Sequence, residues 1–451
     1  MILSKKNFLI EFKKNQVANR LLKGIRWNII AEVLNRGSIF ASNIIIAQLI
    51  GLKSFGKIAI IQSTILAITG VAQLSMGITA TKYVAELRTK NCNRINNILG
   101  LCSQVTAVTG FLFAAGVFLA APWIAVDVLD AADLTSLLRI ASVAILFSAI
   151  NAFQIGTLAG LEAFDVIAKL GFIQGCITIG AISVLTWVFS ITGAALALSI
   201  NSIISCILYR WFMTAELNKQ SLKVEYNRAW NEKGVFFFFA LPTSLSAFIG
   251  FPTIWGVRAL LVNQPSGYDE LGIFAAVFGL CSLLLVAPTI ARKVVTPVLN
   301  NLYGANEENS FKKLLFGNTT LMTIMAFISG IFMILFARPL LKFYGLEFVR
   351  GSTFVWVLAL AFTFQVFHES LFQAIVAVGN MWWHLILVAL HSFFLFVFSY
   401  VWIPKYYAKG LAASYLVAYS VTCFVTILIF VHQRRICFSE IVDAEQSSTI
   451  H

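Results

Sequence analysis

The sequence predicts an all-α integral membrane protein, with about twelve transmembrane helices in two six-helix lobes related by a parallel pseudo-two-fold repeat. Three observations predict it. Of the 451 residues, 59% are hydrophobic and 12% charged, 40 are Phe, and the mean hydropathy is +0.85. A water-soluble chain of this length cannot bury so much apolar side chain, whereas a bilayer accepts it as solvent. Apolar stretches of roughly 20 residues, the length that crosses hydrocarbon, recur about twelve times. The chain also repeats itself. GLKSFGKIAI (Gly51–Ile60) returns as GYDELGIFAA (Gly267–Ala276), with both glycines in register at an offset of 216 (267 − 51 and 272 − 56). FLAAPWI around Pro122 matches LFARPLL around Pro339 at 217 (339 − 122).

The elements follow in order. Residues 1–26 form a basic cytoplasmic segment, too polar for a signal-peptide core. Phe8 with Phe12 and Val17 with Leu21 fall at helical spacing among Lys5, Lys6, Lys13 and Lys14. The segment is thus either a short helix on an anionic membrane surface or a solvated tail. The apolar runs set spans at 27–50, 56–79, 97–120, 136–157, 168–189 and 193–213, the first lobe being 27–213. Residues 214–234, the most polar run between spans, are a cytoplasmic linker. Spans at 235–262, 270–291, 314–336, 352–376, 384–403 and 410–432 make the second lobe, 235–432, and 433–451 a cytoplasmic tail. An offset of 216 covers six spans, an even number, so both lobes enter the membrane in the same direction, with a cavity between them. Outside loops are short, and without an extramembrane domain an enzyme is disfavoured.

The charges orient the chain. With the N-terminus inside, Lys82, Arg88, Lys90, Arg94, Arg210, Lys219, Lys223, Arg228, Arg292, Lys293, Arg434 and Arg435 fall on the cytoplasmic side. Few cations, such as Lys53, Lys57, Arg139 and Lys405, fall outside. Both termini are therefore expected in the cytoplasm. The net charge of +13 needs no nucleic-acid partner to explain it. None of the seven cysteines falls in an outside loop and none has metal-ligand spacing, so neither a disulfide nor a metal is expected.

AQLIGLKSFGKIAI at the first hairpin, TKYVAEL (Thr81–Leu87), GLEAF (Gly160–Phe164), FALPTSLSAF (Phe239–Phe248) and FYGLEFVRG (Phe343–Gly351) together carry a resemblance. The chain resembles the polysaccharide transporters of the MOP superfamily, among them the O-antigen (Wzx-type) flippases. The resemblance implies a MOP/MATE-like fold in the bacterial inner membrane. It implies a flippase that moves undecaprenyl-diphosphate-linked oligosaccharide, an O-antigen or related unit of lipopolysaccharide biosynthesis, from the cytoplasmic to the periplasmic leaflet by ion-coupled alternating access. No cofactor is implied. The partners it implies are the bilayer and the lipid-linked oligosaccharide, with polysaccharide polymerase machinery an open further one. A cation-coupled multidrug exporter of the same superfamily is the alternative. The GxxxDRxGRR-like loop of the other large transporter superfamily is absent: the corresponding stretch reads KYVAELRTKNCNRIN (Lys82–Asn96).

Ionisable side chains within spans are costly, so each is a candidate. Asn28, Glu32, Asn35, Arg36 and Asn43 share one side of the first helix, a polar stripe that must line a cavity or a helix contact. Arg36 is suited to a diphosphate through its forked guanidinium, or it simply pairs with Glu32 one turn away. Arg258 in span seven, opposite Ser42 by the repeat, supplies a second cationic point, or it snorkels to the outer interface. Pro242 and Pro252 give that span a gating bend or a static kink. On span ten, His368 and Glu369 form an adjacent titratable pair that could couple ion movement to transport, or tie helices together. His384 and His391 are read as interfacial or packing residues.

Overall fold

The computed structural model describes residues 2–87, 92–304, 307–378 and 382–448, and side chains from Glu32 to Val431 apart from a few within helices. Arg88 and Lys90 lie outside the described residues. The side chains of Asn28, Pro242 and Lys293, of the basic segment and of the tail lie outside the described ones. Among the described residues every regular element is helical. In chain order these are α1 (Ile2–Ala72), α2 (Met76–Leu87), α3 (Cys92–Trp123), α4 (Leu134–Gly160), α5 (Phe164–Lys219), α6 (Lys233–Val235) and α7 (Leu241–Val262). There follow α8 (Gly267–Ser282), α9 (Val286–Gly304), α10 (Glu308–Leu335), α11 (Ala337–Lys342), α12 (Val355–Val378) and α13 (Trp382–Ser448).

Nine helical stretches among the described residues are long and apolar enough to cross a membrane, and three of them reverse direction part-way. In α1 the break is Gly51 (φ 76°, ψ 175°). Beyond it, Gln62 Nε2 reaches Asn43 Oδ1 at 3.4 Å; 19 residues of straight helix would separate them by about 28 Å. In α5 the break is Ser190 (φ 54°, ψ −133°), and Thr178 donates to Asn201 Oδ1 at 2.7 Å. In α13 it is Tyr407 (φ 52°, ψ −128°), and the His391 ring lies 4.4 Å from that of Tyr419. Each break falls in a gap between expected spans, so nine stretches give twelve crossings. Side chains such as Leu119, Trp187 and Leu335 are left bare, as a lipid-facing surface requires.

The repeat is written into the backbone. Ser190 and Tyr407, 217 apart, share one unusual conformation. Gly193 abuts the Leu185 carbonyl as Gly410 abuts that of Trp402, again 217 apart at both positions. The glycines of the repeated motif meet each other: Gly56 lies against the Tyr268 backbone and Gly272 against that of Leu52, so that 52 and 56 on one strand of the repeat mirror 268 and 272 on the other. No side chain fits at such an approach.

The chain forms two compact units. The first comprises residues 1–272 with 343–347. Its core joins α2, α3, the end of α4 and the second limb of α5 through Met76, Ile98, Leu158 and Tyr209. The segment 343–347 is held on α1: Gln48 Nε2 donates to the Phe343 carbonyl at 2.7 Å, and buried Tyr344 lies edge-on to Phe40 and Phe55. The second unit comprises residues 273–342 with 348–451. It is packed through Leu299, Leu315 and Ala374, and through Met322, Ala326 and Val366.

Candidate functional site

In the first unit the polar stripe of α1 is real and largely self-satisfied. Arg36 Nε donates to Glu32 Oε1 at 2.7 Å, so the carboxylate orients the guanidinium. The pair is only part-buried, which limits its contribution to stability to about 1 kcal/mol. Ser38 donates to the Leu34 carbonyl at 2.7 Å and packs on Gly175 of α5. Asn43 takes the Gln62 amide, whereas Asn35 is exposed.

Helix α7 packs on the second limb of α1. Ser244 meets Ser75 at 3.2 Å, Phe251 lies on Gly70, and Trp255 Nε1 donates to Thr64 Oγ1 at 2.9 Å. Positions 244, 251, 255 and 258 share one face by helical spacing, so half-buried Arg258 turns toward α1 as well. In this antiparallel pair, 255 against 64 sets 258 near 60 and 61, the level at which Gln62 reaches Asn43. Glu32 with Arg36, and Asn43 with Gln62, thus pair along α1, and Arg258 of α7 comes to the level of the second pair. Both arginines belong to the same compact unit, because α7, second-half by the repeat, packs with α1.

The second unit brings together a different set. His368 Nδ1 is 2.7 Å from Thr426 Oγ1 on α13, whose hydroxyl hydrogen is engaged by the Thr422 carbonyl at 2.8 Å. His368 therefore donates from Nδ1, an assignment that rests on the hydrogen-bond pattern. Phe372 stacks between His368 and His384, at 6.0 Å and 5.3 Å, and His391 packs on Tyr419. Glu369 turns the other way. It accepts from Gln365 Nε2 at 2.8 Å and pairs with Arg292 Nη1 of α9 at 3.3 Å. The sequence neighbours His368 and Glu369 thereby bind two different helices.

The repeat makes this pair informative. Subtracting 217 from Arg292, Glu369 and Gln373 gives Ser75, Ala152 and Gly156. In the first unit Ala152 and Gly156 lie in a close helix contact, Gly77 sitting on Ala152 and Thr81 donating to the Gly156 carbonyl at 2.8 Å, while Ser75 meets Ser244 of α7. Glu369 holds an ion pair where its first-half equivalent, Ala152, makes a close contact without charge.

A family model described as "Polysaccharide biosynthesis protein" matches residues 21–303, more than half of the chain. The chain belongs to the polysaccharide biosynthesis protein family. The match carries Arg36, Arg258 and Arg292 and stops short of His368 and Glu369. The capsular polysaccharide biosynthesis protein CapF of Staphylococcus aureus is 25% identical over 300 residues, 64% of this chain and 72% of that protein. Among solved structures, an inward-facing multidrug resistance MATE family transporter of the MOP superfamily gives a TM-score of 0.73 at 13% identity, covering 90% of this chain and 96% of that one. A MOP superfamily transporter from Pyrococcus furiosus, whose binding pocket is described as reversed in polarity, gives 0.71 at 14% identity over 93% and 96%. An outward-facing MATE structure gives 0.68 at 14% identity, over 93% and 96%. The fold is the MOP/MATE fold.

What sequence reasoning missed are the partners of these residues. Gln62 had a signal, a lone amide in the apolar run IAIIQSTILAI. Arg292 and Thr426 had none, being 77 and 58 residues from the groups they serve.

Proposed function

We propose that the protein is a flippase that carries undecaprenyl-diphosphate-linked oligosaccharide, an O-antigen or related surface-polysaccharide repeat unit, from the cytoplasmic to the periplasmic leaflet. The observation that carries the reading is a polysaccharide-biosynthesis family match on a chain with a transporter fold and a cation-bearing polar stripe along its first helix. Arg36, oriented by Glu32, and Arg258 attract the diphosphate; amides such as Asn43 and Gln62 serve glycan hydroxyls, and the polyprenyl tail stays in lipid. Transport rather than chemistry is the role, so no catalytic residue is assigned.

Ion coupling is assigned to the His368–Glu369 region. Protonating Glu369 would remove its attraction for Arg292 and unclasp α9 from α12. Helix α9 is already offset from α8 by the 3₁₀ turn at Leu283–Leu285, a natural point of movement. The protein would sit in the bacterial inner membrane with both termini cytoplasmic, working beside a polysaccharide polymerase.

The test is the leaflet distribution of lipid-linked oligosaccharide after the protein is depleted. Accumulation on the cytoplasmic face with loss of surface polymer is the expected result. Normal delivery to the outer leaflet, with raised drug susceptibility, would instead favour a cation-coupled multidrug exporter, a reading the MATE-like fold also supports.

A further inference from the structure

The segment after α5 is bound down. Asn96 of α3 accepts the Lys223 N–H on its side-chain oxygen at 2.9 Å and the Glu225 N–H on its carbonyl at 3.0 Å. Gln104 donates to the Tyr226 carbonyl at 3.2 Å, and Gly100 admits the Glu225 backbone where any side chain would collide. The docked segment forms one wall of a cavity of about 190 Å³, closed by α3, α4 and the end of α5. That is below the roughly 300–1,000 Å³ of clefts that hold whole drug-sized ligands. A headgroup fits; an oligosaccharide does not.

The lining is apolar in the main, through Ile150, Phe153, Met213, Leu217, Leu222 and Val224, with exposed cations and a few polar groups at its edge. Arg210 and Lys223 contribute two positive charges, and no lining residue is acidic. Lys223 has a partner in Glu225 at 3.5 Å, outside the lining. Gln154, 1% exposed, leaves its Oε1 without a hydrogen-bond partner, and its Nε2 has the Cys206 sulfur at 3.6 Å. A buried amide so weakly served costs free energy unless a ligand or water completes it. Thr214 and Asn218 add polar groups at the mouth.

The fold does not need these residues. Adding 217, the offset that relates Ser190 to Tyr407 and Cys206 to Cys423, takes Arg210 to Ile427 and Gln154 to Leu371. The second half builds the same helices with apolar side chains at both positions. Tyr226 of the lining is exposed, as are Trp211 and Trp230 in the same stretches of chain, an aromatic pattern that suits the membrane–water boundary. The basic residues predict this end of α5 to be cytoplasmic.

We propose that this pocket binds the phosphate of an anionic lipid headgroup from the cytoplasmic leaflet, with Arg210 and Lys223 on the phosphate and Gln154 on the headgroup hydroxyls. Basic pockets between transmembrane helices on this side are suited to such headgroups. The inference stands apart from the transported substrate.

The test titrates short-chain phosphatidylglycerol into the purified full chain in detergent, reading native mass spectra and thermal shift. Short-chain phosphatidylcholine and inorganic phosphate are parallel arms. Phosphatidylglycerol should bind saturably, and Arg210→Gln and Lys223→Gln should each weaken it about five-fold. Phosphatidylcholine should show no dependence on these residues. Gln154→Leu, which copies the second half, should fold normally and also lower the affinity. Inorganic phosphate binding as tightly as the lipid, with the same dependence, would overturn the lipid assignment in favour of a soluble phosphate. Binding of phosphatidylglycerol that Arg210→Gln and Gln154→Leu leave unchanged would overturn the pocket altogether.

Discussion

The contact between the two copies of the repeated motif should be among the least tolerant points in the molecule. A methyl group added at Gly56 would come within 2.8 Å of the Tyr268 carbonyl carbon and closer still to its oxygen, both backbone atoms that cannot rotate away. Ordinary carbon–carbon contact is about 3.5–4.0 Å, so the two segments must part by about 1 Å for the carbon alone and further for the oxygen. At Gly272 the nearest atom is the Leu52 carbonyl oxygen at 2.8 Å, a shortfall of about 0.6 Å against a usual carbon–oxygen contact. Overpacking of this kind costs about 1–3 kcal/mol, while alanine in a helix returns roughly 1 kcal/mol. Gly116→Ala, with nothing within 4 Å, keeps only the gain. Thermal unfolding in one detergent should therefore rank Gly116→Ala highest, Gly272→Ala next and Gly56→Ala lowest. The double variant should lose less than the sum of its parts, because parting the segments once relieves both collisions. A Gly56→Ala protein that unfolds at or above the temperature of Gly116→Ala would refute the close approach and with it the symmetric contact.

Other perturbations address the stripe, the clasp and the hairpins. Replacing Arg36 and Arg258 with alanine together should abolish export of surface polysaccharide while the protein still inserts; unchanged export would remove both from the substrate path. Glu369→Gln should make transport insensitive to a proton gradient at a stability cost of about 1 kcal/mol or less, since the pair with Arg292 is part-exposed. A pH dependence like that of the parent protein would exclude Glu369 from coupling. Ser190→Gly should raise the unfolding temperature by relieving a positive φ worth about 1 kcal/mol, and Ser190→Val should lower it; equal stability of the two would deny the turn. Trp255→Phe should cost about 1 kcal/mol by removing the indole hydrogen bond to Thr64, and its rescue by Thr64→Val would show that the bond is the cause.

What the sequence made legible divides along the range of the interactions. The twelve crossings follow from hydropathy, which each span carries within itself. The repeat could be read because GLKSFG and GYDELG keep their glycines, and the structure supplies the reason: Gly56 and Gly272 touch, so neither can acquire a side chain without displacing the other helix. The hairpin turns at Ser190 and Tyr407 were located only as gaps, since serine and tyrosine advertise no positive φ. The pairing of Glu369 with Arg292, of His368 with Thr426, and of Asn96 with the 223–225 backbone depends on contacts between distant segments, about which local pattern is silent.

The deviations from the repeat carry further than the repeat itself. A duplicated chain starts with equivalent interfaces, and stability alone favours keeping whichever version packs well. Gly77 on Ala152 is such a version, a close contact without charge. In the second half the position equivalent to Ala152 holds Glu369, whose part-exposed pair with Arg292 adds little net stability. The reverse holds where Arg210 and Gln154 replace what the second half makes of Ile427 and Leu371. In each half one interface gives up packing for polarity, and it is a different interface. Two such departures, in opposite halves and on different helices, are hard to assign to folding. They fit the two proposals, ion coupling in the second half and lipid contact in the first, and the Glu369→Gln and Gln154→Leu variants test the two independently.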